Sequence, residues 1–177
     1  MAATKIEAGQ QFPALFVPRL GGGKINLSKP ENANDWHMVV VYRGKHCPLC
    51  TKYLADLDRL LPEFRKIGVD VVAVSADPED RAQSQISEIK PDFPVGYGLT
   101  VNQMRELGLY ISHPRSPAET DRSFSEPGLF VVNAEGNVQI TDISNAPFAR
   151  PDLASMLMGL RFIRNPEHNY PIRGTHQ

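Results

Sequence analysis

Apolar positions along the chain follow two rhythms. Short, nearly unbroken runs stand at Met38–Tyr42, Val69–Ser75 and Leu129–Val132. Runs of that length, rich in β-branched residues, read as strands buried on both faces. Elsewhere the spacing is three and four. Leu54, Leu57, Leu60, Leu61 and Phe64 share one face, as do Leu153, Met156, Leu157, Leu160 and Ile163. Those two stretches read as amphipathic helices, with the methionine serving as core rather than as a ligand box. Residues 12–20 alternate, Gly21-Gly22-Gly23 turns, and Lys24–Leu27 returns, which predicts an N-terminal β-hairpin.

Punctuation fixes the order of elements. The strand Trp36–Tyr42 leads into the first helix, in which Pro62 predicts a kink or a second start, and Gly68 a stop. Asp77-Pro78-Glu79-Asp80 reads as a helix start with Asp77 as N-cap, running to Ile89 before Pro91. Thr100 and Gln103 form a capping box, and Gly108 ends that short helix. Residues 112–126 read as a long polar loop, a kind often functional in compact domains. Asn133–Asn137 turns a second hairpin into Val138–Ile143, and Pro151 opens the last helix. Strands alternating with helices predict a three-layer α/β/α sandwich, and the late hairpin makes its sheet mixed. Residues 1–164 are expected to form one domain and 165–177 a polar tail.

Composition narrows the classes. Hydrophobic residues at 41% and charged residues at 22% suit a globular domain, and a net charge of −1 exerts no pull on nucleic acid or an anionic membrane. The start of the chain does not resemble a signal peptide, and no apolar run approaches a bilayer's thickness. The expectation is a cytoplasmic protein without nucleic-acid or membrane partners. In a reducing compartment, two cysteines point to catalysis or metal rather than stapling.

Those two cysteines, Cys47 and Cys50, stand three apart where the first central strand gives way to a helix. With Cys47 as N-cap, Pro48 takes the first helical position, where a missing N–H is harmless. Residues i and i+3 of a helix lie within disulfide range. The Cys47 sulfur would lie over the helix N-terminus, where free N–H groups favour an anion. Arg43, Lys45 and His46 add positive charge, and Arg43 is the best local candidate to bias the thiolate or polarise a peroxide. His46 tunes the thiol or sits exposed; Arg122 reaches in from the long loop. Two other readings stand beside the redox dithiol: inert buried thiols, and a zinc site completed by His46 or His113, which lacks the usual four ligands.

The hairpin 16–28, the core Tyr42-Arg43-Gly44-Lys45-His46-Cys47-Pro48-Leu49-Cys50, the strand 72–77 and Pro127-Gly128-Leu129-Phe130-Val131-Val132-Asn133 with Gly136 together resemble the peroxiredoxin-like (AhpC/TSA, redoxin) branch of the thioredoxin superfamily. The resemblance covers most of the chain and implies a thioredoxin-like fold. It also implies a thiol-based antioxidant oxidoreductase that needs no cofactor or metal. Cys47 would attack a peroxide oxygen or a disulfide sulfur, Cys50 would resolve, and thioredoxin or glutathione would reset the pair. It further implies that Pro127 is cis and packs beside the dithiol, and it admits a homodimer. The chain departs from the family's Pro-x-x-x-Thr/Ser-x-x-Cys pattern: Val40 holds the proline position and Gly44 the hydroxyl position. The family's second active-site arginine aligns with Pro127, and the buried acid of thioredoxins aligns with Val41. A redox sensor or binding module without turnover is the alternative function.

Overall fold

The computed structural model describes residues 4–176. Its centre is a five-stranded mixed sheet. In chain order the elements are β1 (Phe16–Pro18), β2 (Lys24–Asn26), β3 (Trp36–Val41), α1 (Pro48–Lys66), β4 (Val69–Val74), α2 (Glu79–Ile89) and β5 (Val95–Gly96). There follow α3 (Val101–Glu106), β6 (Ile111–Ser112), β7 (Phe124–Ser125), β8 (Gly128–Val132), β9 (Val138–Ile143) and α4 (Leu153–Arg164). The sheet order is β5-β4-β3-β8-β9. β3, β4 and β5 run parallel, while β8 and β9 are antiparallel to their neighbours. The α/β class, the mixed sheet and the N-terminal hairpin match the reading of the sequence.

Two apolar clusters lie on the two faces of this sheet. On one face Met38, Val40, Val71, Ala73, Leu129 and Val131 meet Leu54, Leu57, Leu61 and Phe64 of α1 and Leu153, Leu157 and Leu160 of α4. Alternate residues Val39, Val41, Val72, Val74, Phe130 and Val132 face the other way, onto Val17, Ile25 and Leu27 of the hairpin and Met104 and Leu107 near α3. The layers are therefore unequal. One carries three helices, with Ile86 and Ile89 of α2 at its margin; the other carries one short helix and the hairpin. The hairpin also covers the β5 edge, where Leu20 N–H donates to Val95 O at 3.0 Å and Tyr97 N–H to Pro18 O at 3.1 Å. An edge so covered offers little to a foreign strand.

Three local expectations change. α1 continues through Pro62, so no second helix starts there. An interior proline costs about 3 kcal/mol, and burying Leu57, Leu61 and Phe64 at roughly 1.5–3 kcal/mol each outweighs it. The loop 112–126 is pinched at its base by the β6–β7 pair, so it is a flap on a stem. Asp77 does not cap α2: Pro78 occupies the N-cap without a side-chain bond, because the Asp77 carboxylate is engaged elsewhere.

Candidate functional site

The site is built at the C-terminal ends of β3 and β4. β3 ends at Val41, and the chain turns through Gly44, whose φ of +130° disfavours any residue with a side chain. Cys47 N–H closes that turn onto Gly44 O at 3.2 Å. The Asp77 carboxylate, buried after β4, accepts the Lys45 N–H at 2.7 Å. A Cβ on Gly44 would lie 2.7 Å from Asp77 Oδ2. Gln85 of α2 completes the brace, its Nε2 donating to Gly44 O at 3.2 Å and to Thr51 Oγ1 at 2.9 Å. Two elements remote in sequence thus fix the loop that presents the first cysteine.

Cys47 is the N-cap of α1, with extended φ/ψ, and Pro48 follows in the first turn. The Cys50 N–H donates to the Cys47 sulfur at 3.3 Å. Both sulfurs are buried, Cys47 at 2% exposure and Cys50 at 0%, and both are free thiols. Their acidities diverge as expected. The Cys50 thiol hydrogen-bonds the Cys47 thiolate, and together with the Cys50 N–H and the Arg43 side chain it overcomes burial and brings the Cys47 pKa down to about 6. The same hydrogen bond, followed by burial, pushes the Cys50 pKa well up. One proton is held by the inner sulfur on behalf of the outer one.

Arg43 lies over the Phe124 ring at 4.9 Å, with Nε 3.1 Å from Glu126 and Nη2 3.9 Å from Glu119. It is a mostly buried, ion-paired group rather than a surface cation. Glu126 is itself fixed by a 2.8 Å bond from Ser112 Oγ. Glu119 also accepts the Arg115 N–H, tying the flap. His46 packs edge-on against Phe124 at 4.5 Å, and its two ring nitrogens are buried without partners. Burial first, then the Arg43 charge, lowers its pKa, so His46 is neutral and adds no positive field to Cys47.

A second arginine escaped the sequence reading. Arg150, in the loop before α4, places Nη2 3.4 Å from the Cys50 sulfur and lies over the Tyr53 ring at 4.3 Å. One hundred residues separate it from Cys50, and no spacing rule relates the two positions. It also lines a groove of about 320 Å³ between α1 and residues 147–154, bordered by Leu49, Tyr53 and Phe148.

Other expected residues fall differently. The Glu126–Pro127 bond is trans, as the described residues contain no cis peptide. The β7–β8 connection is held on both sides, with Glu126 N–H on Tyr110 O at 2.8 Å and Pro127 O accepting Ser144 N–H at 3.1 Å. Pro127 is buried at the head of β8, one residue before the Gly128–Val41 pair. It therefore shares the site's end of the sheet without the cis geometry. Arg122 turns to its neighbour Asp121 at 2.9 Å, and His113 to Ser123 Oγ at 2.9 Å; neither is brought to the sulfurs. Among the described residues, no three His, Cys, Asp or Glu side chains gather as a metal site, and no helix is long and apolar enough to cross a membrane.

Comparison with known proteins bears on the family and the fold. A sequence model of the AhpC/TSA family matches residues 8–141. A probable 1-Cys peroxiredoxin of Syntrichia ruralis is 31% identical over 113 residues, covering 61% of this chain and 52% of that protein. A peroxiredoxin of Treponema denticola is 25% identical over 139 residues, covering 75% and 62%. A thiol-disulfide oxidoreductase, ResA, of Bacillus thuringiensis is 28% identical over 92 residues, 51% of each chain. The matches thus span between about half and three-fifths of these relatives' length. In fold the chain is similar to a cysteine-to-serine mutant of the peroxiredoxin 6 of Arenicola marina, with TM-score 0.77 and 16% identity over 92% of this chain and 75% of that one. Peroxidoxin BcpB of Mycobacterium tuberculosis gives 0.74 and 18%, covering 90% and 99%.

Proposed function

Because the chain belongs to the AhpC/TSA family, we propose that it is a thiol-based antioxidant oxidoreductase using Cys47 and Cys50 to reduce hydroperoxides or disulfides. One observation carries this reading. The Cys47 sulfur caps α1 and accepts the Cys50 N–H at 3.3 Å, so nucleophile and resolving thiol share one helical turn. The Cys47 thiolate attacks a peroxide oxygen and becomes a sulfenic acid, releasing an alkoxide or hydroxide that solvent protonates. With a disulfide it forms a mixed disulfide and expels a thiolate. Cys50 then attacks the Cys47 sulfur, closing the internal disulfide with loss of hydroxide or the second thiolate. An external thiol, thioredoxin or glutathione, returns both cysteines to thiols.

Arg43 is the group in this reading that orients a peroxide, aided by the N–H groups at the start of α1. Pro127 forms part of the site's wall. No cofactor is required, and a reducing compartment such as the cytoplasm would keep the pair ready. The burial of both sulfurs favours a second reading, a sensor that is oxidised once and changes partner. Steady-state turnover decides between the two. With thioredoxin or glutathione as reductant, consumption of hydrogen peroxide or of a protein disulfide over many cycles is expected. A single oxidation without cycling would leave the sensor.

A further inference from the structure

We propose that Arg150 is a catalytic residue of the resolving step: it draws Cys50 into its thiolate form once Cys47 has been oxidised. The assignment rests on the dithiol reading above and adds a residue to it. Arg150 Nη2 is 3.4 Å from the Cys50 sulfur, a distance at which the guanidinium touches a reacting atom. The Tyr53 ring below it, at 4.3 Å, sets its plane. The Tyr53 hydroxyl donates to Pro151 O at 2.7 Å, tying the loop that carries Arg150 to α1. Tyr53 is one helical turn beyond Cys50, so a single face of α1 holds both the thiol and the platform for the cation that addresses it. Among the described residues Arg150 forms no ion pair, and its Nη1 is buried without a partner. Its charge is therefore not spent on a carboxylate.

The chemistry needs such a group at one moment. In the reduced protein Cys50 must keep its proton, because that proton holds the Cys47 thiolate. After Cys47 has become a sulfenic acid or a mixed disulfide, the anion that claimed the proton is gone. Cys50 must then lose the proton in a buried place, where a thiolate is costly. A guanidinium already in contact with the sulfur offsets that cost. The Cys50 proton passes to solvent, the thiolate attacks the Cys47 sulfur, the S–O or mixed S–S bond breaks, and hydroxide or a thiolate leaves. With a peroxide both electrons go to the oxidant in the first step; with a disulfide one substrate sulfur is reduced in the first step and the other as it leaves in the closing step. The cation also remains beside the new disulfide, ready to stabilise Cys50 as the leaving thiolate when a reductant attacks Cys47.

The size of the effect can be bounded. Each unit by which Arg150 lowers the Cys50 pKa raises its thiolate fraction tenfold below that pKa. Intrinsic nucleophilicity falls by about the 0.4–0.5 power of the same factor, so a net gain of about three- to fourfold per unit remains near pH 7. Above the pKa the sign reverses, because the variant's thiolate is equally abundant and more nucleophilic.

The test separates the two chemical steps. Reduced wild type, Arg150→Gln and Arg150→Lys are each mixed with hydrogen peroxide, and in parallel with an aromatic disulfide, then quenched with a thiol-alkylating agent. Mass spectrometry counts Cys47 oxidised and the Cys47–Cys50 bond closed over time. Arg150→Gln should slow the oxidation of Cys47 far less than it slows closure, because the Arg150 charge is the least of the causes that lower the Cys47 pKa. It should close the disulfide at least about threefold more slowly at pH 7, with its pH–rate profile moved to higher pH and the gap vanishing or reversing in alkali. Arg150→Lys should fall between, since the charge stays and the stacked fork is lost. Closing rates and pH profiles unchanged in both variants, with normal closure in the wild type, would overturn the role of Arg150 alone. If the wild type forms no Cys47–Cys50 bond with either oxidant, the dithiol reading fails and the Arg150 assignment fails with it.

Discussion

The two arginines beside the dithiol carry the same charge and live in opposite electrostatic settings. Arg43 faces Cys47 from a nest of acids, with Glu126 at 3.1 Å and Glu119 at 3.9 Å. Arg150 faces Cys50 from an aromatic shelf, over Tyr53 and without an ion-pair partner among the described residues. A guanidinium flanked by two carboxylates projects little net field beyond hydrogen-bond range, yet the pairs hold it in one orientation. An unpaired guanidinium keeps its field but owes its position to stacking. Arg43 is thus suited to aim donors at an oxidant, and Arg150 to favour an anion on the sulfur beside it. Counting positive residues near the cysteines, which suggested a basic loop at 43–46, misses this division.

The most drastic way to probe it is to remove the residue that Arg150 addresses. Cys50→Ser should abolish cycling with a dithiol reductant and trap Cys47 as a sulfenic acid or a mixed disulfide. Mass spectrometry of the oxidised variant reads this directly. Wild-type turnover in Cys50→Ser with the same reductant would show that Cys50 is not the resolver, and would remove one half of the contrast.

Next comes Arg43→Ala. Losing a preplaced donor costs about 10²–10³ in rate, so oxidation of Cys47 by hydrogen peroxide in stopped flow should fall by that order. Exchange with a small disulfide, which has no peroxide oxygens to orient, should fall much less. Arg43→Lys should rescue little, because a point charge cannot present the planar set of donors that a guanidinium offers. Equal losses with both oxidants would mean that Arg43 acts through its charge, as Arg150 is argued to do. With the family's hydroxyl position held by Gly44 and its second arginine position by Pro127, peroxide reduction should also be slower than the framework alone would suggest.

How far the sequence could be read depends on whether the relevant contact is local. The central strands, the Cys47 N-cap and the capping box at Thr100 follow from neighbours within four positions, and the structure contains them. Arg43 was legible because it lies four residues from Cys47. Arg150 was not, because a loop a hundred residues away carries it. Asp77 was misread for a related reason. Its spacing to Pro78 and Glu79 fits a helix cap, but the Lys45 N–H, thirty-two residues away, takes the carboxylate. The flap 112–126 announced itself only by length and polarity. Its content, Glu119 and Glu126 on Arg43 and Phe124 under His46, depends on the β6–β7 stem that brings it over the site. Pro127, placed by resemblance, is trans, the isomer that most X-Pro bonds adopt, and hydrogen bonds at Glu126 N–H and Pro127 O hold the chain there.

The Asp77 brace offers an effect on stability rather than on chemistry. Gly44→Ala combines a φ of +130° with a Cβ 2.7 Å from the Asp77 carboxylate. Strain of this kind costs about 1–3 kcal/mol, so the urea midpoint should fall while the m-value stays constant. Asp77→Asn, which fills the same volume, should be milder and should loosen the Lys45 turn. A Gly44→Ala protein as stable as the wild type would mean that the loop is free to move away from Asp77, and that Arg43 and Cys47 are less rigidly presented than the contrast requires.

The finest discrimination lies in the pH dependence of stability, which ranks the neighbours of Cys47 against one another. The folded thiol has a pKa of about 6 against an ordinary value of 9.0. Between those values the unfolded chain holds a proton that the folded chain has released, so stability rises with pH across the window. The contribution is lost as pH falls through about 6, with a slope of at most about 1.4 kcal/mol per pH unit. Urea titrations of the reduced wild type and of Cys47→Ser, from pH 5.5 to 8.5, should therefore diverge as pH rises. The Cys50 thiol is the foremost cause of the low pKa, the Arg43 side chain a lesser one and the Arg150 charge the least. The divergence should shrink most in Cys50→Ala, less in Arg43→Ala and least in Arg150→Ala. If Arg150→Ala flattened it more than Arg43→Ala, the unpaired guanidinium would be acting mainly on the outer sulfur. The assignment of one arginine to each thiol would then have to be reversed.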